Sequence, residues 1–349
     1  MLKVPLKLRP ILKEKIWGGR NLEKVLGREL PPEVKVGESW EISEHMDDVS
    51  VACEGPLSGM DLRQLMRSYG GSLLGSLGME LFPDRFPLLV KFVDAGERLS
   101  VQVHPDDAYA LRNEGDLGKT EAWYVVWAEP GAELVLGFSR DTSPEEVRRS
   151  LEEGTLEELL RWVPVSEGDV VFLSPGTLHA LGEGILVYEV QESSDVTYRL
   201  YDWGRGREVH IDKALDVLEY GPVELPKARG LTLEEAGGYR TFLVACRYFA
   251  LERLEVFSEM AGECDGRSFH ALSLIEGEGL LVCGGGSLEV RRGESLLLPA
   301  DLGGYRLEGR LVALLSFVPD LVQDVVGPLR EAGYGKDEIG SVVREGTCS

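Results

Sequence analysis

The stretch EGDVVFLSPGTLH (residues 167–179) has a shorter counterpart, RGESLLLPA, at residues 292–300. In both, a glycine and an acidic residue precede a short apolar run that leads to proline, a pattern typical of a turn into a buried strand. Because the pattern occurs once in each half of the chain, we infer a duplicated β-structure. The first copy leads to His179, whereas the corresponding place in the second, near Gly304, offers no metal ligand.

The composition is that of a folded protein with a sizeable hydrophobic core. The chain has 349 residues, about the length of two domains, and 43% of them are hydrophobic and 28% charged. Its 42 glycines lie between short apolar runs, which is typical of a β-rich chain with many tight turns. A charged segment rich in glycine and proline, residues 203–230, separates the halves. We therefore expect one domain at residues 1–225 and a second, with a helical tail, at residues 226–349.

The charge balance excludes several classes of partner. Sixty acidic residues against 37 lysines and arginines give a net charge of −23, and such a protein repels nucleic acid phosphates and anionic membrane surfaces. A local cluster of cations can still bind a small anion. No segment approaches the roughly 18 apolar residues of a membrane span, and the N-terminus lacks the apolar stretch of a secretory signal. The five cysteines are scattered without a CxxC pair, so we expect free thiols and a cytoplasmic protein.

Hydrophobic periodicity predicts many strands and a few short helices. Helices are expected at residues 61–77 and 143–162, with Asp61 and Ser143 as N-caps, at 211–219, and as two short helices around Gly333–Gly335. We expect strand 86–95 to pair with 98–105, and 121–130 with 132–139, across short turns. A second set of strands is expected from Leu231 onwards.

Four side chains in the first half have the chemistry of a metal site. Gln102 and His104 are two residues apart on a predicted strand, so both leave the same face. Glu121 begins a later strand, and His179 follows the turn at Pro175. Two imidazoles, a carboxylate and an amide oxygen suit a zinc, iron or manganese ion and leave positions for water or substrate. Each residue by itself is more commonly structural, so the pattern as a whole carries the prediction.

Two segments resemble the cupin motifs. They are Gly96-(five residues)-Gln102-Val103-His104, with glutamine in place of the first histidine, and Gly168-(five residues)-Ser174 to His179, with Pro175 displaced by one. More specifically, the chain resembles the mannose-6-phosphate isomerase family in its short bacterial form, in the segments IWGGRNL (16–22), GESWEIS (37–43), LSVQVHPDD (99–107), GKTEAWYV (118–125), SPGTLHALGEG (174–184) and TYRLYDWGR (197–205). The resemblance implies a mainly β fold of two cupin-type (jelly-roll) β-barrels with a few short helices, the second barrel being degenerate.

The same resemblance implies roles for individual residues. It places one divalent metal ion, with zinc preferred, on Gln102, His104, Glu121 and His179, and it assigns catalysis to Arg199 and Lys119. The implied reaction interconverts mannose 6-phosphate and fructose 6-phosphate by moving a proton between C1 and C2 through an enediol(ate). A guanidinium stays protonated near neutral pH, so Arg199 would polarise an oxygen rather than act as a base. Lys119 could relay a proton or bind the phosphate.

Several assignments stay open at this level. Glu38, Glu41 and His45 are candidates for a general base, although structural roles are likewise expected for them. Trp17 and Trp40 could either line a sugar site or belong to the core. Arg199 could form a salt bridge with Glu192 or Asp202 instead of acting in catalysis. Cations in or beside the motifs could form a phosphate pocket: Arg20, Lys91, Lys119, Arg199 and Arg205. The remaining histidines, His210 and His270, are expected to be structural.

Two other functions fit the same motifs. A cupin oxygenase would use iron, and such enzymes usually keep two or three histidines around an open iron, whereas Gln102 and the neighbouring Lys119 favour redox-free carbonyl chemistry. A non-catalytic or regulatory sugar-binding cupin would keep the metal site without needing Arg199 or Lys119. We therefore expect a small sugar phosphate as the partner, with no nucleic acid and no membrane, while the oligomeric state is not determined.

Overall fold

The computed structural model describes residues 1–224, 227–284 and 286–344 and shows a mainly β protein, as predicted. The strands of the first half are β1 (Leu6–Arg9), β2 (Ile11–Gly19), β3 (Val36–Ile42), β4 (Glu44–His45), β5 (Asp48–Val49), β6 (Val51–Ala52), β7 (Leu88–Ala95), β8 (Val101–Val103), β9 (Glu121–Ala128), β10 (Glu133–Phe138), β11 (Leu160–Pro164), β12 (Val170–Leu173), β13 (His179–Ala180), β14 (Ile185–Glu192) and β15 (Tyr198–Tyr201). Those of the second half are β16 (Leu231–Glu235), β17 (Gly238–Ala245), β18 (Ala250–Val256), β19 (Glu259–Cys264), β20 (His270–Cys283), β21 (Gly286–Arg291), β22 (Ser295–Leu298) and β23 (Gly303–Phe317).

The helices are few and mostly short. They are α1 (Asn21–Leu26), α2 (Leu62–Leu81), α3 (Asp107–Asn113), α4 (Pro144–Glu153), α5 (Ile211–Val217), α6 (Gly327–Glu331) and α7 (Lys336–Ile339), with 3₁₀ turns at Leu156–Glu158 and Ala300–Leu302 and a π-helix at Leu321–Val326. No described helix combines the length and the apolar character needed to cross a membrane. The two predicted N-caps are confirmed, because the Asp61 side chain accepts from Gln64 N and that of Ser143 from Glu146 N.

Two sheets of the first half face each other across a hydrophobic core. One has the strand order β12-β9-β14-β7-β2-β3 and the other the order β11-β10-β13-β8-β15. Apolar side chains from both sheets, including Trp123, Leu134 and Val187, form one buried cluster between them. The polar site described below lies between the same two sheets.

The second half is built on a single ten-stranded sheet that also recruits the start of the chain. Its order is β16-β17-β18-β23-β20-β22-β1-β6, with β19 paired to β23 and β21 to β20. The outer face of the first half's six-stranded sheet packs against it through residues such as Phe92, Tyr188 and Leu314. Strand β1 thus lies in the second sheet although it precedes the expected boundary, and the boundary residues, Leu225 and Pro226, lie outside the described residues.

The repeated motif has the same local structure in both copies. Gly168 and Gly293 adopt φ values of +88° and +83°, which glycine tolerates without strain. Each lies two residues before the start of a buried strand. The acid that follows accepts a backbone hydrogen bond from three residues earlier, Asp169 from Ser166 N and Glu294 from Arg291 N. The prediction of two equivalent turn-strand units is confirmed.

Two predicted hairpins are wrong. β7 and β8 lie in different sheets, as do β9 and β10. The connecting backbone explains the first case, because Glu97 N donates to Trp17 O and Leu99 N to Leu181 O, which carries the chain from one sheet to the other. A short turn between two apolar runs favours a hairpin, but here the backbone partners lie far away in the sequence.

The helix predicted at residues 143–162 is too long. It ends at Glu153, because Gly154 adopts φ +70° and its N–H closes the last turn on Ser150 and Leu151. A 3₁₀ turn and strand β11 follow. The helix predicted at 61–77 extends to Leu81 and bends at two glycines, Gly70 and Gly75.

The paired glycines of IWGGRNL are explained by close packing. A Cβ at Gly18 would lie 2.6 Å from Gly37 N, and one at Gly19 would lie 2.3 Å from Asp94 Oδ1. The buried Asp94 carboxylate accepts from the backbone N–H groups of Asn21 and Leu22 and so caps helix α1. This packing fixes the position of the neighbouring Trp17.

Three cysteines have the free thiols expected from the sequence. Cys53, Cys264 and Cys283 are free. Cys348 lies outside the described residues.

Candidate metal centre

Strand ends from both sheets of the first half bring the predicted ligands together. His104 directly follows β8, and His179 begins β13 with its backbone opposite Gln102. Glu121 begins β9 in the facing sheet. The polar side chains therefore meet in the space between the sheets, with His104, Glu121 and His179 all buried.

Two motif turns hold these strand ends in place. Gly176, at φ +87°, donates its N–H to His104 O at 2.9 Å, which ties the SPGTLH turn to the VHP segment. Lys119 N donates to Pro105 O at 3.1 Å. A Cβ at Gly118 would lie 2.5 Å from Asp107 N, so only glycine allows the GKTE segment to approach this closely.

The three buried side chains have the geometry of a cation site. Glu121 Oε1 lies 3.3 Å from His179 Nε2 and 3.7 Å from His104 Nε2. One potential ligand atom from each residue lies within 4.8 Å of the others. Two imidazole nitrogens and a carboxylate oxygen are a donor set that suits a divalent transition metal.

Hydrogen bonds to the backbone set the tautomer of both histidines. His104 Nδ1 donates to Val196 O at 2.8 Å, and His179 Nδ1 donates to Thr177 O at 2.9 Å. With the proton on Nδ1, each ring presents the lone pair of Nε2 to the cluster. Burial lowers the pKa of His104 well below its ordinary value and lowers the pKa of His179 to about 4, so both rings are neutral ligands at pH 7.

The Glu121 carboxylate supplies the decisive observation. Its Oε1 atom is fully buried and has no hydrogen-bond partner within the described structure. An unpartnered carboxylate oxygen is costly in an apolar interior, and a cation between the two Nε2 atoms would satisfy it. The residues present therefore fit a divalent metal.

Gln102 contacts the cluster with its amide nitrogen. Its Nε2 lies 3.3 Å from His179 Nε2, while its Oε1 accepts from Ser100 Oγ at 3.4 Å. A 180° rotation of the amide exchanges the two atoms, and only the oxygen can ligate a metal. The structure thus brings Gln102 beside the ligands, and its service as a fourth ligand requires that rotation.

Lys119 joins the cluster to a cavity. Its Nζ lies 2.6 Å from Glu121 Oε2 and 3.1 Å from His104 Nε2. Lys119 and Gln102 both line a cavity of about 350 Å³, behind which the other three side chains lie. A substrate in this cavity would meet the ammonium group and the amide directly.

The cavity has a net positive lining inside a strongly anionic protein. Five cations line it, together with three carboxylates: Lys15, Lys91, Lys119, Arg199 and Arg207, with Glu38, Glu189 and Asp195. Of the cations expected at a phosphate pocket, Arg20 pairs with Glu23, and Arg205 pairs with Asp202; neither lines the cavity. Lys15 and Arg207 were not predicted. Trp17 and Trp40 both belong to the walls.

Arg199 is positioned by its neighbours on strand β15. Its backbone lies opposite Gln102, and its N–H and carbonyl are both bonded to His210, which confirms a structural role for that histidine. The guanidinium donates to Glu208 O at 2.6 Å and to Ser100 Oγ at 3.3 Å. The alternative pairing with Asp202 is not formed, because that carboxylate pairs with Arg205 and Arg207.

The predicted candidates for a general base separate into two groups. Glu38 lines the cavity and accepts from Trp40 Nε1 at 2.7 Å. Glu41 lies on the opposite face of β3, in a bidentate pair with Arg28 and a hydrogen bond from Ser295 of the second half. His45 does not line the cavity, but its Nε2 lies 3.2 Å from Oδ1 of Asp195, which does.

Sequence reasoning missed Glu189. This buried carboxylate lies 2.9 Å from Lys91 Nζ and accepts from Trp123 Nε1 at 2.8 Å. Burial opposes its charge, but Lys91 and Lys119 outweigh burial and lower its pKa to about 2. The sequence does contain an indication of this residue. In ILVYEVQE, Glu189 and Gln191 interrupt an apolar run at positions on the same face of one strand.

Glu192, at the end of the same strand, is a buried carboxyl outside the cluster. Its Oε1 accepts from Thr120 N at 2.8 Å, and its Oε2 has no hydrogen-bond partner within the described structure. Burial, helped by the charge of Asp107, raises its pKa from 4.5 to about 8. The native state therefore favours the protonated form of Glu192. This preference stabilises the fold fully below pH 4.5, and the stabilisation is lost as the pH rises through 8.

We expect Glu192→Gln to remove this pH dependence. At pH 9 the variant should exceed the parent protein in free energy of unfolding by about 2–4 kcal/mol, whereas at pH 4.5 the two should agree within about 1 kcal/mol. Urea unfolding at both pH values measures the difference. The exposed Glu183→Gln serves as control, and an equal difference at both pH values would contradict the assignment.

The fold and the site together define a class. Two facing β-sheets that enclose two imidazoles and a carboxylate, duplicated by a second β-unit without such a group among its described residues, are the arrangement of a bicupin metalloenzyme. Comparison with known proteins narrows this class to one family.

Family models and curated relatives agree on that family. Residues 5–119 match the model "Phosphomannose isomerase type I, catalytic domain", and residues 239–318 match "Mannose-6-phosphate isomerase, cupin domain". The chain is 37% identical to the mannose-6-phosphate isomerase of Streptococcus mutans over 318 residues, 89% of this chain and 98% of the relative. It is also 37% identical to mannose-6-phosphate isomerase ManA of Bacillus subtilis, over 90% of this chain and 99% of the relative. The chain belongs to the mannose-6-phosphate isomerase family.

Solved structures support the same conclusion. The crystal structure of the mannose 6-phosphate isomerase from Bacillus subtilis superimposes with a TM-score of 0.83 at 35% identity, covering 90% of this chain and 99% of that one. A putative mannosephosphate isomerase from Archaeoglobus fulgidus, 24% identical, shares the fold with a TM-score of 0.74 over 91% of this chain and 99% of that one. The expected cupin-type fold is confirmed, and the family is metal-dependent.

Proposed function

We propose that this protein interconverts mannose 6-phosphate and fructose 6-phosphate with one divalent ion, zinc, held by His104, Glu121 and His179, and by Gln102 after rotation of its amide. The observation that carries the proposal is the unpartnered Glu121 Oε1 between two neutral Nε2 donors, beside a cavity lined by five cations. When bound, the metal supplies a positive charge that polarises the sugar oxygens and stabilises an enediolate.

The chain's own residues supply binding and proton handling. The surplus of cations over carboxylates in the cavity gives the substrate phosphate a positive environment despite the protein's net charge of −23. Lys119 lies between the ligands and the cavity, where it can hold or deliver a proton at the sugar oxygen next to the migrating hydrogen. Glu189 and Lys91 neutralise each other in the wall and hold Trp123 beside His179.

Arg199 is the proposed stabiliser of the enediolate. Its guanidinium stays protonated and is held at the cavity by Ser100 and Glu208. All the residues with proposed roles lie within 1–225, which we propose as the catalytic unit, with 226–349 as the second.

We expect Arg199→Ala to lower kcat by about a hundredfold, the usual loss when one donor to a developing oxyanion is removed. Metal content should stay unchanged, because Arg199 contacts none of the three buried ligand residues among its described hydrogen bonds. A coupled isomerase assay at defined metal content measures kcat, with the exposed Arg148→Ala as control.

The same assay separates this proposal from its rivals. A rate that is equal with and without oxygen supports the isomerase, whereas oxygen consumption on adding sugar phosphate would identify an oxygenase. A non-catalytic sugar-binding protein would bind mannose 6-phosphate without turnover when fully loaded with metal. Absence of turnover at full metal loading would overturn the proposal.

A further inference from the structure

The second half contains a cavity of its own. It has a volume of about 300 Å³ and is bounded by side chains of β17, β18, β20 and β23. Residues of the C-terminal tail, among them Gln323, Asp324 and Pro328, also line it. Its volume lies at the small end of the range for ligand sites. The isomerase reaction does not use this cavity, since every candidate catalytic residue lies in the first half.

A buried ion pair forms one wall of this second cavity. Arg240 donates to Glu252 Oε2 at 2.7 Å and also pairs with Glu235. Glu252 is only 2% exposed. An ion pair so deeply buried adds little stability compared with apolar side chains of the same volume, so its presence beside a cavity suggests a binding role.

One buried donor at the cavity lacks a hydrogen-bond partner within the described structure. Arg267 uses Nε for Asp265 and Nη2 for Asp324, while its buried Nη1 has no hydrogen-bond partner within the described structure. Arg240 donates through Nε to Glu235 and through Nη1 to Glu252, and His270 Nδ1 lies 2.9 Å from the hydroxyl of Tyr305. Burial lowers the pKa of His270 to about 3, so its ring is neutral. A ligand rich in hydroxyl oxygens could accept from Nη1 of Arg267 and from the remaining guanidinium N–H groups.

The charge of the lining selects against anions. Five carboxylates and only two guanidiniums line the cavity, the reverse of the catalytic cavity: Glu235, Glu252, Glu263, Asp265 and Asp324, with Arg240 and Arg267. Each guanidinium is already paired with two carboxylates. A phosphate group would therefore be repelled. Carboxylate oxygens remain as acceptors for hydroxyl donors, and the rings of Phe242 and Phe317 add apolar faces.

We propose that this second cavity binds an uncharged monosaccharide. Hydroxyl groups can both donate to carboxylates and accept from guanidinium N–H groups, and the C–H face of a sugar ring can pack on a phenyl ring. The proposal does not rest on the isomerase function, because it concerns different residues and a ligand without phosphate.

The first experiment measures binding of D-mannose to the full-length, metal-loaded protein by saturation-transfer NMR and calorimetry. Saturating mannose 6-phosphate is present to occupy the catalytic cavity. We expect saturable binding of one D-mannose per chain that the phosphosugar does not displace. Absence of saturable binding, or its loss on adding mannose 6-phosphate, would overturn the proposal.

The second experiment locates the site with Arg240→Met/Glu252→Met. Replacing a buried ion pair by apolar residues of similar volume preserves or raises stability, so the double variant should fold, which its urea unfolding curve checks. We expect its Kd for D-mannose to rise at least about tenfold, the effect of losing charge-assisted hydrogen bonds, while the isomerase rate stays within twofold.

A matched control uses an exposed ion pair of the same half. Arg291 and Glu289 pair at 2.8 Å with side chains 64% and 71% exposed, and Arg291→Met/Glu289→Met should leave D-mannose binding unchanged. Should the first double variant fail to fold, Arg240→Lys keeps the charge but loses the planar donor array and should still weaken binding severalfold. Unaltered binding in a folded Arg240 variant would place the sugar elsewhere and refute the assignment.

Discussion

His179→Ala is expected to lower kcat/KM for mannose 6-phosphate by about 10⁴-fold or more, equivalent to about 5–6 kcal/mol of transition-state stabilisation. The substitution removes one of two neutral Nε2 donors and leaves Glu121 Oε1, already without a hydrogen-bond partner, with a single imidazole beside it. Bound metal should fall to a small fraction of one equivalent. Chelation of the parent protein should have the same effect on activity.

The fold should survive the loss of the metal. The first half has a hydrophobic core between its two sheets, and a separate cluster fills the second half. Metal content by elemental analysis, circular dichroism and the isomerase assay on the same sample test this prediction. His270→Ala, in the other cavity, is the control and should keep both metal and activity. A full rate in verified metal-free protein, or a metal bound near residues 293–304, would contradict the assignment.

Lys119→Met is expected to lower kcat by about 10²- to 10³-fold, the range for loss of a positioned proton donor. Methionine keeps an unbranched apolar stem of similar reach but carries no ammonium group. Because Lys119 Nζ lies 2.6 Å from Glu121 Oε2 and 3.1 Å from His104 Nε2, its removal also takes away a positive charge that repels a metal cation. Metal affinity should therefore stay equal or increase while turnover falls.

This divergence distinguishes a catalytic lysine from a structural one. Metal titration and steady-state kinetics on the same variant provide both readouts, and Lys213→Met, at an exposed ion pair with Glu114, provides the control. If kcat stayed unchanged, Lys119 would have no part in proton transfer. A fall in kcat that added metal fully restored would show that Lys119 only supports metal binding.

Much of the site was predictable because its residues lie in short, contiguous motifs. QVHP, GKTEAW and SPGTLH each supply ligand candidates together with the glycine or proline that shapes the local turn. Gly176 illustrates this: its positive φ and its hydrogen bond to His104 O are local properties of the motif that also join two motifs. Within such a segment, the spacing along the chain determines which side chains share a face.

The pairing of Glu189 with Lys91 could not be predicted from the sequence. They lie on strands β14 and β7, opposite each other in the register, and nothing in either short segment indicates its partner. The sequence also could not show that Glu41 faces the second half, because a strand with both faces buried lacks the alternation of apolar and polar residues that would reveal its orientation.

The sequence by itself determined the β-rich duplicated architecture, because turn chemistry and strand alternation act over a few neighbouring residues. The resemblance of its short motifs to those of known proteins indicated the family and the ligand candidates. Only the tertiary structure decided which consecutive strands separate into different sheets, which cations reach the catalytic cavity, and that the second half holds a cavity of opposite charge. Those outcomes depend on backbone hydrogen bonds and packing between residues far apart in the chain, such as Leu99 N with Leu181 O, whose pairing no local pattern specifies.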